Sequence, residues 1–440
     1  MSYTDQYKSK LTTAENAVKL IPKKGNLVIG LGMSEPPALL KALEQRVINK
    51  DIDALRLYYM HPATPLQTTL LKYEYMDHIL PYPFYPTKTE RDLVKEGLKH
   101  GKKVINYVPA NFHQIPSIIS HTLSMDVCIV TVSSMTNGGY FSTGTNADYT
   151  ITAAKTAKKL IIEVNENMPC VFGDTFIHIS QVTAIVENNV LLPNEPPHVT
   201  PGEVDTQIAN HIMKIFADGS TIQIGAGNVP NAVCSQLKNY QDLGIHSELL
   251  SPVMTDLIKA GNVTNKRKNI DTGKSIYTLA AGDQEFFKFI DKNPGIEGHP
   301  SSYVNDPYII GLNDNVFSIN SFIEIDLFGQ VNAEFMLGHQ FSTVGGQLDF
   351  IEGAMRSKNG KTVLTAESTA GGGKFSRIVN KISGPATDTR NNVQYVATEY
   401  GMVNLMGMST AERANLLISI AHPKFQDQLK EQAKEMDILL

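Results

Sequence analysis

The chain of 440 residues contains only three cysteines, Cys128, Cys170 and Cys234, and they lie far apart. No pair of them has the CxxC or Cys/His spacing that is typical of metal sites. Cys128 stands inside the apolar run VCIVTV. We therefore expect reduced, structural thiols and predict that the protein binds no metal.

The sequence also lacks a strong excess of charge of either sign and any long apolar run. Lys and Arg number 39 against 44 Asp and Glu, which gives a formal net charge of −5, and the most concentrated basic run is KRK at 266–268. Nothing here resembles the basic footprint of a nucleic-acid-binding protein. No stretch approaches the roughly 18 uninterrupted apolar residues of a membrane span, and the first residues, MSYTDQYKSKLTT, contain no apolar signal segment. We expect a cytoplasmic protein whose partners include neither nucleic acid nor a membrane.

Several catalytic motifs are missing as well. The sequence has no H-E-x-x-H, no G-x-S-x-G and no EF-hand loop, so zinc-protease and serine-triad chemistry have no starting point. Charged residues are only 19% of the chain, against about 25% in an average protein. Such a chain has much apolar surface to bury, inside itself or against a partner subunit.

The pattern that is present is an alternation of short β-type runs with helical runs, such as NLVIGLGMS followed by PPALLKALEQRV. This alternation predicts an α/β fold with a mainly parallel sheet. The stretch LLPNEPPHVTPGEVD, at 191–205, is rich in proline and has no apolar period, which is typical of a connection between domains. After it the alternation begins again. We therefore predict two α/β domains of similar size, 1–195 and 196–440.

The first glycine-rich candidate is the GAG motif at residues 225–227, which follows an apolar strand and opens the helical run NVPNAV. Adjacent glycines allow backbone N–H groups to face a ligand, and a helix N-terminus favours negative charge. The motif is not a dinucleotide fingerprint, because Pro230 stands where the third glycine belongs. On these residues alone, a plain tight turn and an anion or oxyanion site both remain open.

Two further glycine clusters lie in the second half. Gly345 and Gly346 stand between a β-branched run and an apolar helix start, where their backbone can donate hydrogen bonds to an oxyanion or simply form the helix entry. The glycines at 371–373 are followed by Lys374 and Arg377. That composition suits a phosphate cradle but lacks the P-loop order, so a flexible loop is the alternative.

Glu248, in the run GIHSELL, stands at a boundary between an apolar strand and a helical pattern. From its context alone, a charge at a helix end or on the surface is the simplest interpretation. His246, two positions earlier, shares its strand face, but one His and one Glu at this spacing do not make a catalytic pair.

Taken together and in order, seven stretches resemble the acetyl-CoA hydrolase/transferase family of class I CoA-transferases, especially its 4-hydroxybutyrate CoA-transferase branch. They are SEPPALLKAL, VNENMPCVFGDTFIHISQV, IQIGAGNVPNAV, LGIHSELL, SINSFIEIDLFGQVNAE, GGQLDF and YVATEYGMVNLMGMSTAERANLLISIAHPKF. The resemblance implies two similar open α/β domains, both with mainly parallel sheets, assembled as a homodimer or a higher homo-oligomer. Coenzyme A, as an acyl-CoA substrate, would be the only cofactor.

The activity that the resemblance implies is ping-pong transfer of CoA from acetyl-CoA or succinyl-CoA to a short-chain carboxylate of the 4-hydroxybutyrate, butyrate or itaconate type. Glu248 matches the family's catalytic glutamate. Its carboxylate would attack the thioester to give a mixed anhydride, and the released thiolate would then give a glutamyl-CoA thioester. The incoming acid would reverse the two steps.

The resemblance also assigns the residues around Glu248. Backbone N–H groups of Ala226 and Gly346 would bind the oxyanion, and the side-chain amide of Asn305 would orient the glutamate. The acid would bind near SEPP, Met60 and His61 of the first domain, packed over Glu248. The residues implied to contact CoA are Gly225, Gly227, Asn228, Gly345, Gln347 and Lys374.

Two stretches depart from the family pattern, STAGGGKFSRI near the CoA contacts and SSMTNGGYFSTG in the first half. A substrate with a second carboxylate would require an Arg or Lys nearby, and the sequence does not place one. An acyl-CoA hydrolase, in which water reaches the glutamyl intermediate, is the alternative enzyme. The alternative of another class is a non-catalytic CoA-binding or sensing protein, against which the retained Glu248 and both glycine turns argue.

Overall fold

The computed structural model describes residues 2–194, 200–225 and 227–440. The chain divides into two compact units. The first contains Met1–Glu195, Leu250–Pro252 and Ile276–Val304, and the second contains Pro196–Leu249, Val253–Ser275 and Asn305–Leu440.

The sheet of the first unit has six strands in the order β3-β2-β1-β4-β5-β6. All five neighbouring pairs are parallel. In chain order the strands are β1 Lys24–Ile29, β2 Ala54–Met60, β3 Ile79–Tyr85, β4 Val127–Val132, β5 Lys159–Val164 and β6 Ala184–Glu187.

Successive side chains along these strands point to opposite faces of the sheet, so the first unit has two apolar clusters. Leu27 and Ile29 of β1 face one apolar cluster, whereas Val28 faces the other. Cys128 and Val130 of β4 lie in the second cluster. Every residue of β4 is buried, as expected for a strand covered on both faces.

In the second unit, six strands lie in the order β12-β11-β10-β9-β7-β8. They are parallel except for the terminal hairpin of β11 and β12. The strands are β7 Thr221–Ile224, β8 Gly244–Leu250, β9 Val316–Ser321, β10 Lys361–Thr365, β11 Tyr395–Thr398 and β12 Gly401–Asn404. The prediction of α/β domains with mainly parallel sheets is confirmed.

The helices lie between these strands and at the chain ends. Their bounds are Tyr3–Lys10, Ala14–Ala17, Pro37–Ile48, Thr64–Thr68, Lys88–Lys99, Ile115–Ser117, Thr150–Thr156, Glu203–Met213, Asn228–Gln236, Pro252–Lys259, Gln284–Ile290, Ser301–Val304, Pro307–Gly311, Gln347–Arg356, Thr410–Ser419 and Pro423–Glu435. Within the described part of the chain, none of them is both long and apolar enough to cross a membrane.

Further strands complete the structure. They are Tyr140–Ser142, Phe172–Gly173, Phe176–His178, Ser275–Ala280, Ile296–Gly298, Glu324–Asp326, Val331–Asn332, Phe335–Met336, His339–Gln340, Thr369–Ala370, Phe375–Ser376 and Ile378–Val379.

The division of the chain differs from the predicted boundary at residue 195 at two places, a short one at 250–252 and a longer one at 276–304. Residues 276–304 follow that boundary but pack with the first unit. Their backbone explains why, since Ala147 donates to the carbonyl of Thr278 at 3.0 Å and Ala280 donates to that of Thr145 at 2.8 Å. Such long-range pairing leaves no mark in the local sequence pattern.

The three cysteines, all within the described residues, form no disulfide. Cys128 and Cys234 are buried and Cys170 is half-buried. Burial raises the pKa of all three thiols, so each stays protonated at neutral pH. This agrees with the prediction of reduced, structural thiols.

Candidate active site

Glu248 lies near the carboxyl end of β8, the strand that contains GIHSELL. The parallel register of β7 and β8 pairs Thr221 with Gly244 and Ile222 with Ile245, an offset of 23 residues (244 − 221). These pairs set the two strands side by side in the same direction, so their carboxyl ends point to the same edge of the sheet. In open α/β sheets the carboxyl edge is where ligands bind. Gly225, which directly follows β7, and Glu248, near the end of β8, therefore both lie toward the carboxyl edge of this sheet, whereas Ala226 lies outside the described residues.

A side-chain amide holds the carboxylate of Glu248. Nδ2 of Asn305 donates to Oε2 of Glu248 at 2.8 Å. Asn305 is fully buried, whereas Glu248 is half-buried. A buried donor has few alternative positions, so the bond fixes one carboxylate oxygen and with it the direction in which Glu248 points.

Gly346 brings backbone against this pair. A Cβ atom at position 346 would overlap both Oε2 of Glu248 and Nδ2 of Asn305. The backbone conformation of Gly346 is ordinary, with φ −98°, so the reason for glycine here is space. Its neighbour Gly345 has φ +55°, a left-handed conformation that favours glycine. Glycine is therefore favoured at the two positions for different reasons, backbone conformation at 345 and space at 346. Together the two residues form a turn that packs against the carboxylate.

The turn formed by residues 345–347, here called the GGQ turn, leads into the helix Gln347–Arg356. The first N–H groups of a helix have no partner within it and are available to an anion. Gln347 is itself anchored, because its Nε2 donates to Oδ2 of Asp388 at 2.6 Å. Sequence reasoning did not find Asp388, which lies 41 residues away in a stretch without any motif.

His246 has a structural place. It is buried on β8, and its ring meets that of Phe350 edge-on, with centroids 6.5 Å apart. Phe350 belongs to the helix that follows the GGQ turn. His246 therefore helps to pack β8 against this helix.

The third glycine cluster forms the tip of a hairpin. Residues 371–373 join the antiparallel strands Thr369–Ala370 and Phe375–Ser376, and all three glycines have positive φ. A cavity of about 390 Å³ is lined by these glycines together with Asn228, Pro230 and Arg377. The structure thus brings the helix after the GAG motif next to this hairpin. Lys374 is exposed and does not line the cavity.

In the first unit, the residues predicted to bind the acid lie next to one another. Glu35 accepts hydrogen bonds from the backbone N–H groups of Ala63 at 2.7 Å and Leu66 at 2.9 Å. A Cβ atom on Gly32 would lie 3.6 Å from the carbonyl oxygen of His61. These contacts join SEPP to the segment that follows β2.

The titratable groups of these two stretches carry no positive charge at neutral pH. His61 stacks on Tyr85 with ring centroids 4.0 Å apart, and burial lowers the pKa of His61 to about 4. Burial raises the pKa of Glu35 well above its usual value. His61 is therefore neutral at pH 7 and supplies no cation.

Comparison with known proteins gives matches over almost the whole chain. Residues 1–193 match the model of the acetyl-CoA hydrolase/transferase N-terminal domain, and residues 282–433 match that of its C-terminal domain. A 4-hydroxybutyrate coenzyme A transferase of Clostridium kluyveri is 40% identical, over 99% of this chain and 100% of that protein.

Two solved structures extend the comparison. The crystal structure of RipA from Yersinia pestis is 45% identical with a TM-score of 0.96, and the match covers 100% of both chains. A 4-hydroxybutyrate CoA-transferase from Porphyromonas gingivalis is 30% identical with a TM-score of 0.82, over 99% of this chain and 100% of that one.

Proposed function

We propose that this chain, which belongs to the acetyl-CoA hydrolase/transferase family, transfers coenzyme A from an acyl-CoA to a short-chain carboxylic acid through Glu248. The observation that carries the proposal is the geometry around that carboxylate. Asn305 fixes one oxygen of Glu248 at 2.8 Å, and the backbone at Gly346 approaches so closely that no other residue fits there.

The proposed reaction has two steps that then run in reverse. An oxygen of Glu248 attacks the carbonyl carbon of the acyl-CoA, the carbon–sulfur bond breaks, and CoA leaves as a thiolate. The thiolate attacks the glutamyl carbonyl of the mixed anhydride and releases the first acid, which leaves a glutamyl-CoA thioester. The second acid attacks this thioester, and the same exchange in reverse gives the new acyl-CoA and free Glu248.

Each attack creates a negative oxygen on the tetrahedral carbon, which hydrogen-bond donors must stabilise. The backbone N–H groups of Gly346 and Ala226 are the proposed donors. The close approach of Gly346 to Glu248 supports the first assignment, and the position of Gly225 directly after β7, the strand beside β8, supports the second. Removing one such donor typically costs about 3 kcal/mol of transition-state stabilisation.

The proposed CoA site lies on the second unit. Its contacts are Gly225, Gly227, Asn228, Gly345 and Gln347, with Lys374 as an outer contact. The 390 Å³ cavity beside Asn228 supports this placement, because it joins a helix N-terminus to a loop of three left-handed glycines. Arg377 also lines that cavity, beside the acidic Asp205 and Glu367, and its guanidinium donates to the backbone carbonyls of Thr369 and Ile323.

The proposed acid has a single carboxylate, of the 4-hydroxybutyrate or butyrate kind. Support comes from His61, which is neutral at pH 7, and from the two 4-hydroxybutyrate CoA-transferases among the relatives. A cavity of about 590 Å³ lies beside Met33 and Glu35, and among the described residues that line it Lys41 is the only basic one. A homodimer or a higher homo-oligomer in the cytoplasm completes the proposal.

The experiment is a kinetic panel with acetyl-CoA or succinyl-CoA as donor and mono- or dicarboxylic acids as acceptors, comparing kcat/KM. We expect ping-pong kinetics, a requirement for an acid, and a preference for monocarboxylates. CoA release that is fast without any acid would indicate a hydrolase instead. A dicarboxylate preference that disappears in Lys41→Ala would contradict the proposed acid class.

A further inference from the structure

A buried carboxyl group lies one side chain away from the catalytic edge. Asp388 is 0% exposed, and its Oδ2 accepts the hydrogen bond from Nε2 of Gln347 at 2.6 Å. Gln347 directly follows Gly346, whose backbone contacts Glu248. Asp388 therefore contacts Gln347, which belongs to the GGQ turn, and Gly346 of the same turn contacts Glu248.

The backbone of Asp388 is fixed independently of this contact. Its N–H and carbonyl both pair with Val331, at 3.2 and 3.0 Å, and Val331 is fully buried. Asp388 is therefore a fixed point from which Gln347 is held.

The segment that contains Asp388 contacts the helix Gln347–Arg356 at a second place. Nδ2 of Asn392 donates to Oε1 of Glu352 at 3.2 Å. Glu352 lies in the middle of the helix, five residues beyond Gln347 (352 − 347). The contact of Asp388 with Gln347 affects the position of the GGQ turn. The contact of Asn392 with Glu352 affects only the middle of the helix.

The chemistry of Asp388 does not suit a purely structural anchor. Among the described residues, Oδ1 of Asp388 has no hydrogen-bond partner. Burial, together with the negative charges of Glu334 and Glu352, raises the pKa of Asp388 to about 7. An amide at this position would accept the same hydrogen bond without a buried charge. Ionisable groups whose pKa values are shifted by burial and by neighbouring charges are concentrated at functional sites.

We propose that Asp388 is a positioning residue that fixes the GGQ turn against Glu248 by holding Gln347. The inference rests on the proposed function, because it concerns the acylation of Glu248. An anchored Gln347 restricts the backbone of Gly346, whose N–H must point at the reacting carbonyl.

A pH dependence follows from this geometry. When Asp388 ionises, its bond to Gln347 becomes charge-assisted and stronger. The rate of Glu248 acylation should therefore rise as the pH passes through neutrality. Glu334 and Glu352 are the charged groups that act on Asp388, and both oppose its ionisation.

The experiment mixes the full-length protein with acetyl-CoA at pH values from 6 to 8 and allows a single turnover. Mass spectrometry then measures the rate at which the glutamyl-CoA adduct forms on Glu248, here called acylation. We expect Asp388→Ala to acylate about tenfold more slowly at pH 8, a typical cost of slightly misplaced groups. Asp388→Asn keeps the shape and an acceptor, so it should be slowed less and should lose the pH dependence. Asn392→Ala is the matched control and should stay within about twofold of wild type.

Two further readouts separate positioning from a loss of folding. Gln347→Ala with Asp388→Ala should be no slower than the slower single variant, because both changes break one contact. Asp388→Asn should unfold at pH 8 at a temperature no lower than wild type, since it removes a buried charge.

Acylation by both Asp388 variants at the wild-type rate would overturn the inference, as would equal slowing by Asn392→Ala or fully additive effects in the double variant. If wild type itself formed no adduct, the proposed function would fail instead.

Discussion

Two glutamates stand at the carboxyl edges of the two sheets, and their surroundings differ. Glu35 follows β1 in the first unit, is only 3% exposed, and gives both carboxylate oxygens to backbone N–H groups. Glu248 lies near the end of β8 in the second unit, is half-buried, and is held by one buried amide with a glycine backbone against it. The residue type and the place in the sheet are similar, so the surroundings decide the role.

Glu35 connects two loops of the first unit, whereas Glu248 is the proposed nucleophile. Backbone N–H groups already bind both carboxylate oxygens of Glu35. We conclude that a glutamate at a sheet edge is a candidate nucleophile only when its neighbours orient it and leave room for the substrate. The following variants sharpen or break this contrast.

The largest expected effect comes from removing the nucleophile. Glu248→Ala should lower kcat by about a thousandfold or more, because no carboxylate remains to accept the acyl group. The chain should stay folded but lose about 1–2 kcal/mol of unfolding free energy, because the buried amide of Asn305 loses its hydrogen-bond acceptor. Steady-state kinetics and urea unfolding check the two parts. Near-normal activity in this variant would remove Glu248 from the mechanism.

The next effect comes from the glycine that contacts it. Gly346→Ala should lower kcat by about a hundredfold, since the new Cβ displaces the carboxylate from its reactive position. Gly202→Ala is the matched control, because Gly202 has an ordinary φ of −76° and its nearest contact would be 3.5 Å away. Equal kcat for both variants would show that the close approach at position 346 has no part in catalysis.

A smaller loss is expected when the orienting amide is removed. Asn305→Ala deletes the 2.8 Å bond to Oε2 and should slow Glu248 acylation by about tenfold. Asn305→Asp should slow it further, because a second carboxylate would repel the first. Rapid quenching followed by mass spectrometry of the CoA adduct on Glu248 measures the step. An unchanged acylation rate in both variants would show that the bond does not orient the nucleophile.

The smallest effect on chemistry is expected at Glu35. Glu35→Gln puts an amide N–H group against a backbone N–H group, so the protein should lose about 1–2 kcal/mol of stability while the acylation rate of Glu248 stays unchanged.

The pH dependence of the same variant tests the role of Glu35 independently. Because the folded-state pKa of Glu35 is raised, its contribution to stability is full below the ordinary value of about 4.3 and falls as the pH rises through the folded value. In Glu35→Gln this decline in stability with rising pH should disappear. Thermal unfolding across pH 4–8 checks it, and a large loss of acylation with normal stability would make Glu35 catalytic.

Much of this organisation could be predicted from the sequence. The apolar run VCIVTV predicted a strand, and the alternation of strands and helices indicated two α/β domains. The predicted family is confirmed by the matches to both of its domains, and the expectation of a CoA-transferase is confirmed by relatives 34–40% identical over essentially the whole chain. Glu248, Gly346 and Asn305, assigned by resemblance, meet in the structure.

The remaining features depend on contacts between distant residues. The return of residues 276–304 to the first unit rests on backbone pairing with residues 145–148. The bond from Gln347 to Asp388 spans 41 residues and has no motif at its acceptor end. The cavity near residues 371–373 includes Arg377 but not Lys374, because the direction of a side chain at a hairpin tip is set by backbone geometry. Such contacts have no local sequence signal.

The most direct test of the central claim is the intact mass of the wild-type protein after incubation with acetyl-CoA and no acceptor acid. If Glu248 forms a glutamyl-CoA thioester, the chain should gain the mass of CoA less one water. The adduct should map to Glu248, disappear on adding an acid, and be absent in Glu248→Ala. An unmodified wild-type chain during turnover, or an adduct on another residue that persists in Glu248→Ala, would contradict it.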